Sequence, residues 1–261
     1  MHPHHAASIQ KIKAHFEQVP NVLALLLTGS IAHGFETEAS DVDVLVVLTE
    51  EAYQHHVDTG IMTFVTPDLC TYPGGYVDAK YTSLGFIRLV AEKGSEPARW
   101  AFDGAQILFS EIPGLEGELQ RLVRFDAGGK EERIVRFRSQ LEIWKWYSEE
   151  GVRKGNRYLL NMATSKLILF GGRLILADND VLFPYHKWFL RVLGELREKP
   201  ERLMECVERL SREPGMEVIQ EFYDMVVGWK EWKRPRGRFG AQFMVDSELN
   251  WLILQTPVDD L

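Results

Sequence analysis

Residues 22–48 read VLALLLTGSIAHGFETEASDVDVLVVL, and the fold turns on this stretch. Two runs, VLALLL (22–27) and VLVVL (44–48), have the length and apolar content of buried strands. Between them lie the turn Thr28-Gly29-Ser30 and an acidic entry to the second run, Asp41-Val42-Asp43. Successive side chains of a strand alternate between faces, so Asp41 and Asp43 share a face, about 6 to 7 Å apart, while Val42 and Val44 point into the core. Two carboxylates on one face repel and lose hydration, and the usual remedy is a bound cation. Such oxygen ligands suit Mg2+, which takes one or two carboxylates together with substrate phosphates. Gly29 allows a close backbone approach to a ligand. Ser30 is expected to cap the helix that follows, whose free N–H groups would form an anion site.

Outward from this stretch, the chain changes character near residue 128. Before it, short apolar runs alternate with turn signals, and strands are expected at 22–27, 44–48, 61–66, 76–83 and 105–109. The runs at 61–66 and 76–83, separated by a stretch ending in YPGG, should pair as a hairpin. Helices are expected near 6–18, 84–93 and 114–125. FDAGGKEE suits a linker, and beyond it residues 131–150, 154–171, 184–199, 200–212 and 215–233 carry apolar residues at helical spacing, with Pro184 and Pro200 placed where a helix can begin. The expected fold class is α+β. A domain of sheet and helices (1–127) is followed by a helical bundle (128–261).

The combined pattern, GSIAHGFETEASDVDVLVV, resembles the signature of the polymerase-β-like nucleotidyltransferase superfamily: Gly-Ser, then about ten residues later an aspartate pair on an apolar strand. The division into a catalytic and a helical half is similar to that of aminoglycoside nucleotidyltransferases of the kanamycin and lincosamide type. The resemblance implies a mixed sheet flanked by helices in the catalytic domain, a substrate-binding helical domain, a nucleoside triphosphate substrate, ATP by preference, and two Mg2+ ions. It further implies transfer of a nucleoside monophosphate to an acceptor hydroxyl, with release of pyrophosphate. Gly29, Ser30 and Ser40 would lie at the nucleotide, and Asp41 and Asp43 would hold the metals. Many members have Arg where this chain has His33, a weaker and pH-dependent phosphate contact. A third catalytic and metal-binding acid is expected from a later strand. Asp78 in GGYVDAKYTS fits best, and Asp68, after Pro67, reads as a turn residue. The general base is either Asp78 or a glutamate of the helical half, where Glu142, Glu149 and Glu150 are candidates by location. Lys166, in NRYLLNMATSKLILF, interrupts an apolar helix and is expected to reach the triphosphate; His186 and Lys187 could face the acceptor.

Composition restricts the partners. The formal net charge of the 261-residue chain is −8, which argues against a broad nucleic-acid footprint. The cluster WKEWKRPRGRF (229–239), with five basic residues and three aromatics, is the feature that separates a small acceptor from RNA. A small, hydroxylated, cationic acceptor of aminoglycoside type, entering between the two halves, is the first expectation. A protein or RNA acceptor, or a non-catalytic nucleotide-binding module, is the alternative. No apolar run reaches the roughly 20 residues of a membrane span, and the start lacks the features of a signal peptide, so a soluble cytoplasmic monomer or homodimer is expected. Cys70 and Cys206, the only cysteines, suit a reducing compartment, and neither is read as a nucleophile.

Overall fold

The structure, a computed structural model, describes residues 1–252; the last stretch of the second expected domain, 253–261, lies outside the described residues. The chain divides into two compact units, Met1–Arg124 and the residues from Phe125 onward.

The first unit contains a five-stranded sheet. Its strands are β1 (Val22–Leu27), β2 (Val42–Leu48), β3 (Thr63–Thr66), β4 (Val77–Ser83) and β5 (Gln106–Ser110), in the spatial order β3-β4-β2-β1-β5. β1 runs antiparallel to both β2 and β5, β3 antiparallel to β4, and β2 parallel to β4. The sheet is mixed because the chain must cross over between β2 and β4, which parallel pairing requires.

Alternation along β2 assigns its two faces. Val42, Val44, Val46 and Leu48 pack with Ile9, Ile12 and Phe16 of α1 (Pro3–Phe16). Leu45 and Val47 face the opposite way, into a second cluster built on Ile87 and Val90 and on Leu115, Leu119 and Leu122. Those residues belong to α4 (Leu84–Lys93) and α6 (Leu115–Leu122). The short α2 (Gly29–His33) follows β1, α3 (Glu50–Thr59) follows β2, and α5 (Glu96–Trp100) precedes β5. A helix after the Gly29–Ser30 turn was expected, but α3 and α5 were not. α3 has no buried residue, so it lacks the apolar stripe that periodicity detects, but Thr49 caps it, accepting from Ala52 N–H.

The second unit is helical: α7 (Lys130–Arg153), α8 (Arg157–Asp178), α9 (His186–Glu195), α10 (Leu203–Arg212), α11 (Met216–Trp229) and the short α12 (Phe239–Phe243). Pro184 and Pro200 stand outside their helices rather than in the first turn, since Tyr185 takes a left-handed φ of 65° before α9. α11 ends at Trp229, four residues early, and Trp232 folds back into the core, donating its indole N–H to Val226 O at 2.7 Å. Contrary to the expectation from the sequence, α8 has the length and apolar content of a membrane span, but 56% of its most apolar window is buried and it serves as a core helix. Gly171 and Gly172 let it approach its neighbours: a Cβ on either would lie within 3 Å of the rings of Phe222 and Phe189, respectively.

Phe222 is fully buried against this glycine face. Phe222→Ala should therefore destabilise the helical unit by roughly 3–5 kcal/mol, read as a lowered urea midpoint. An unchanged midpoint would show that α8 and α11 are not packed as described.

Candidate active site

The Gly29–Ser30 turn and the acidic strand meet at the sheet centre. Thr28 N–H donates to Asp43 O at 2.9 Å, continuing the pairing of β1 with β2 beyond Leu27. Gly29 then turns the chain with φ 66°, a left-handed conformation that disfavours a side chain. Steric demand adds to this: a Cβ at Gly29 would lie 1.9 Å from Asp43 Oδ2. Glycine here is what permits the Asp43 carboxylate to sit against the turn.

Ser30 does not cap α2. Thr28 occupies the N-cap position without a side-chain hydrogen bond, and Ser30 lies inside a five-residue helix. Ser30 is 6% exposed and its Oγ has no hydrogen-bond partner among the described residues. A buried hydroxyl without a partner is costly unless something arrives to bond it. Ser30 thus offers a hydroxyl donor at this turn.

Asp41 directly precedes β2, and it and Asp43 are partly exposed between the buried Val42 and Val44. Asp78 lies beside Asp43 in the parallel register of β2 with β4, so both carboxylates stand on one face. Lys80, two residues along β4 and hence on the same face, brings a positive charge to Asp43 and Asp78. Its Nζ lies 3.2 Å from Asp78 Oδ2 and 3.9 Å from Asp43 Oδ1. Tyr76, at the entry to β4, hydrogen-bonds its hydroxyl to the Asp41 carboxylate. That bond, with the negative charge of Asp41, Asp43 and Asp78, pushes the phenol's pKa up. Among the described residues no three His, Cys, Asp or Glu side chains converge closely enough to hold a metal between them. Asp78 is thus next to Asp43 but held by Lys80. The spacing Tyr76-x-Asp78-x-Lys80 was visible in the sequence as three polar side chains on one strand face, and only Asp78 was singled out.

The other expected residues fall as follows. Ser40 shapes the turn before Asp41: its Oγ accepts from Thr37 N–H at 2.9 Å, and its carbonyl accepts from the Tyr72 hydroxyl. Burial pushes the Tyr72 phenol up to about 12. His33 stacks on Trp100, ring centres 4.2 Å apart, and on Phe35. Burial lowers its pKa against the opposing pull of Asp103, so near neutral pH it offers a phosphate an uncharged ring. Asp68 sits in a turn, its N–H donating to Thr66 Oγ1, as the sequence suggested. Burial raises the pKa of both Cys70 and Cys206, the latter to about 11, so neither supplies a thiolate near neutral pH.

In the helical unit, Lys166 is exposed on α8 between buried Thr164 and Leu167 and lines a groove with Trp144, Tyr147 and Tyr158. Glu142 accepts from the buried Arg138 and from the Tyr223 hydroxyl, both at 2.7 Å. Glu149 pairs with Lys145, and Glu150 with Arg153 and Lys154. The Glu149 and Glu150 contacts are helix-surface ion pairs, whereas Glu142 is bonded to a buried guanidinium. His186 and Lys187 are exposed at the start of α9.

Residues 10–65, which include Gly29, Ser30, Asp41 and Asp43, match the family described as polymerase beta, nucleotidyltransferase. This segment is similar to the polymerase-β-like nucleotidyltransferases. One solved structure is similar to the chain over most of its length. This is a nucleotidyltransferase-like protein from Exiguobacterium sibiricum, 10% identical with a TM-score of 0.46, covering 97% of this chain and 82% of its own. No curated protein matches the chain by sequence.

Two histidines of the first unit are buried and held neutral. His5 is fully buried; burial and the neighbouring His4 and His2 lower its pKa, as burial does for His33. The unfolded chain therefore binds protons that the native state resists. Stability should be fully present above the ordinary histidine value of 6.5 and decline as pH falls through 6.5 toward the depressed native values. Urea midpoints across this range should show the decline, and His5→Gln with His33→Gln should flatten it. An equal slope in the double variant would assign the pH dependence to other groups.

Proposed function

We propose that the chain is a Mg2+-dependent nucleotidyltransferase that moves a nucleoside monophosphate, AMP by preference, from a nucleoside triphosphate to a hydroxyl of a small, cationic, aminoglycoside-like acceptor. The observation that carries this reading is the unpartnered, buried Ser30 hydroxyl in the turn whose Gly29 lies against the Asp43 carboxylate, a donor and an acid at one turn that a metal-bound phosphate would satisfy. Mg2+, when bound, would neutralise the triphosphate and polarise its phosphorus, and Asp41 and Asp43 are the residues that would hold it. Ser30 would bind phosphate oxygen through its hydroxyl. Lys80 holds Asp78 and adds a positive charge on the same face, where negative charge grows during transfer. Asp78 or Asp41 would take the acceptor proton. Lys166 is assigned to the triphosphate and the helical unit to acceptor binding; the protein is placed in the cytoplasm.

A small acceptor is favoured over RNA by the state of the basic cluster. Lys230 pairs with Asp178 at 2.5 Å and Lys233 with Glu131. Trp232 is buried, and Phe239 lies beneath the Arg138 guanidinium at 4.7 Å. The aromatics that would stack on bases are engaged elsewhere.

Calorimetry should show nucleoside triphosphate binding that requires Mg2+ and is lost in Ser30→Leu, which fills the space by the turn. Asp41→Asn and Asp43→Asn should abolish transfer while leaving thermal stability in metal-free buffer equal or higher, because each relieves like-charge repulsion. Equal nucleotide affinity with and without Mg2+, or wild-type turnover in either aspartate variant, would overturn the reading.

The acceptor class is tested by changing Lys230, Lys233, Arg234, Arg236 and Arg238 to Gln together. Turnover of a small acceptor should remain nearly unchanged and insensitive to salt. A large, steeply salt-dependent loss would instead identify a macromolecular acceptor.

A further inference from the structure

We propose that Tyr76 is an internal acceptor, and that the chain transfers a nucleoside monophosphate from a nucleoside triphosphate onto its own Tyr76 hydroxyl. This rests on the nucleotidyltransferase reading above and adds an acceptor to it.

Strand order carries the argument. β2, with Asp43 on it and Asp41 at its entry, is flanked by β1 on one side and β4 on the other. From β1 comes the Gly29–Ser30 turn with its unpartnered hydroxyl, and at the β4 edge stand Tyr76 and Asp78. In phosphoryl transfer the attacking and leaving oxygens lie roughly in line on opposite sides of the phosphorus. With phosphates bound at Ser30, pyrophosphate departs on the β1 side, so the attacking hydroxyl comes from the β4 side.

Tyr76 presents a hydroxyl there. Its carbonyl accepts from Val42 N–H at 3.0 Å, which extends the β2–β4 register by one pair and sets Tyr76 opposite Asp41. Alternation then places Tyr76, Asp78 and Lys80 on one face together with Asp43. The ring is 41% exposed and belongs to neither core cluster of this unit, so packing does not account for it. The register thus sets the Tyr76 side chain among the Asp41, Asp43 and Asp78 carboxylates, with Asp78 two residues along the same strand face.

The step balances without a redox partner. Tyr76 Oη forms a bond to the α-phosphorus, the bond from that phosphorus to the pyrophosphate oxygen breaks with its electron pair leaving on pyrophosphate, and the phenolic proton passes to Asp78. The product is a tyrosyl phosphodiester.

The test incubates the full chain with Mg2+ and each of ATP, GTP, CTP and UTP labelled at the α-phosphate, followed by intact-mass measurement and peptide mapping. The expected result is a gain of one nucleoside monophosphate on the peptide containing Tyr76. It should be lost in Tyr76→Phe and in Asp43→Asn, and retained in Tyr158→Phe, which changes an exposed tyrosine of the helical unit. Calorimetry on the same samples separates the two readings. Mg2+-dependent triphosphate binding with no label, or with label elsewhere, overturns the internal acceptor and leaves the proposed function standing. Absence of binding by all four triphosphates overturns both.

Discussion

The site depends on one close approach, that of the Asp43 carboxylate to the backbone of Gly29. Three features meet there. Asp43 O accepts from Thr28 N–H, which locks the end of β1 to the start of β2. Gly29 turns at φ 66°, and it carries no Cβ where one would overlap Asp43 Oδ2. Antiparallel pairing, turn geometry and acid placement are thus a single constraint, and a side chain at residue 29 would break all three at once. The consequence for chemistry is proximity: the Ser30 hydroxyl and the Asp43 carboxylate are held next to one another by backbone, with no flexible linker between them.

Charge on the acidic face is balanced within the sheet. Asp43 and Asp78 are adjacent in a parallel register and would repel if left alone. Lys80 lies within ion-pair distance of both, and all three side chains keep partial exposure, with Lys80 53% exposed. An exposed ammonium is a weak clamp, because water screens it and its side chain is mobile. A cation of higher charge at the same carboxylates would compete with it. The arrangement is consistent with a face that is stable in the absence of metal and still open to one.

Much of this was legible in the sequence because the relevant elements are locally determined. VLALLL and VDVLVVL read as strands from their apolar runs, and the pairing of 61–66 with 76–83 followed from the turn residues between them. Asp78 was found because an isolated acid in an apolar strand is unusual, and its register beside Asp43 agrees with that reading. Other features were hidden for physical reasons. His33 was read as a pH-dependent phosphate contact, and its stacking on Trp100 was hidden because that partner is distant in sequence and only the fold brings them together. Ser30 looked like a cap because the residue type suits one, whereas the cap position fell on Thr28. Tyr76 and Lys80 were passed over because an aromatic and a lysine are ordinary strand residues until the register shows which acids they face.

The match to the nucleotidyltransferase family ends at residue 65, before β4 begins at Val77. The Gly29–Ser30 turn and Asp41–Asp43 therefore lie in the matched segment, while Tyr76, Asp78 and Lys80 lie beyond it. They are nonetheless not free to drift. The parallel ladder pairs Val42 with Val77 and runs unbroken to Leu48 with Ser83, and Val42, Val44, Val77 and Ala79 are all buried on the opposite face. A slip of one residue in that ladder would turn Val77 and Ala79 outward and bury Asp78 and Lys80, which the core on the α1 side forbids. The apolar face of β4 thus fixes where its polar face stands, and the groups proposed to receive the nucleotide are positioned by the packing of residues that never touch it.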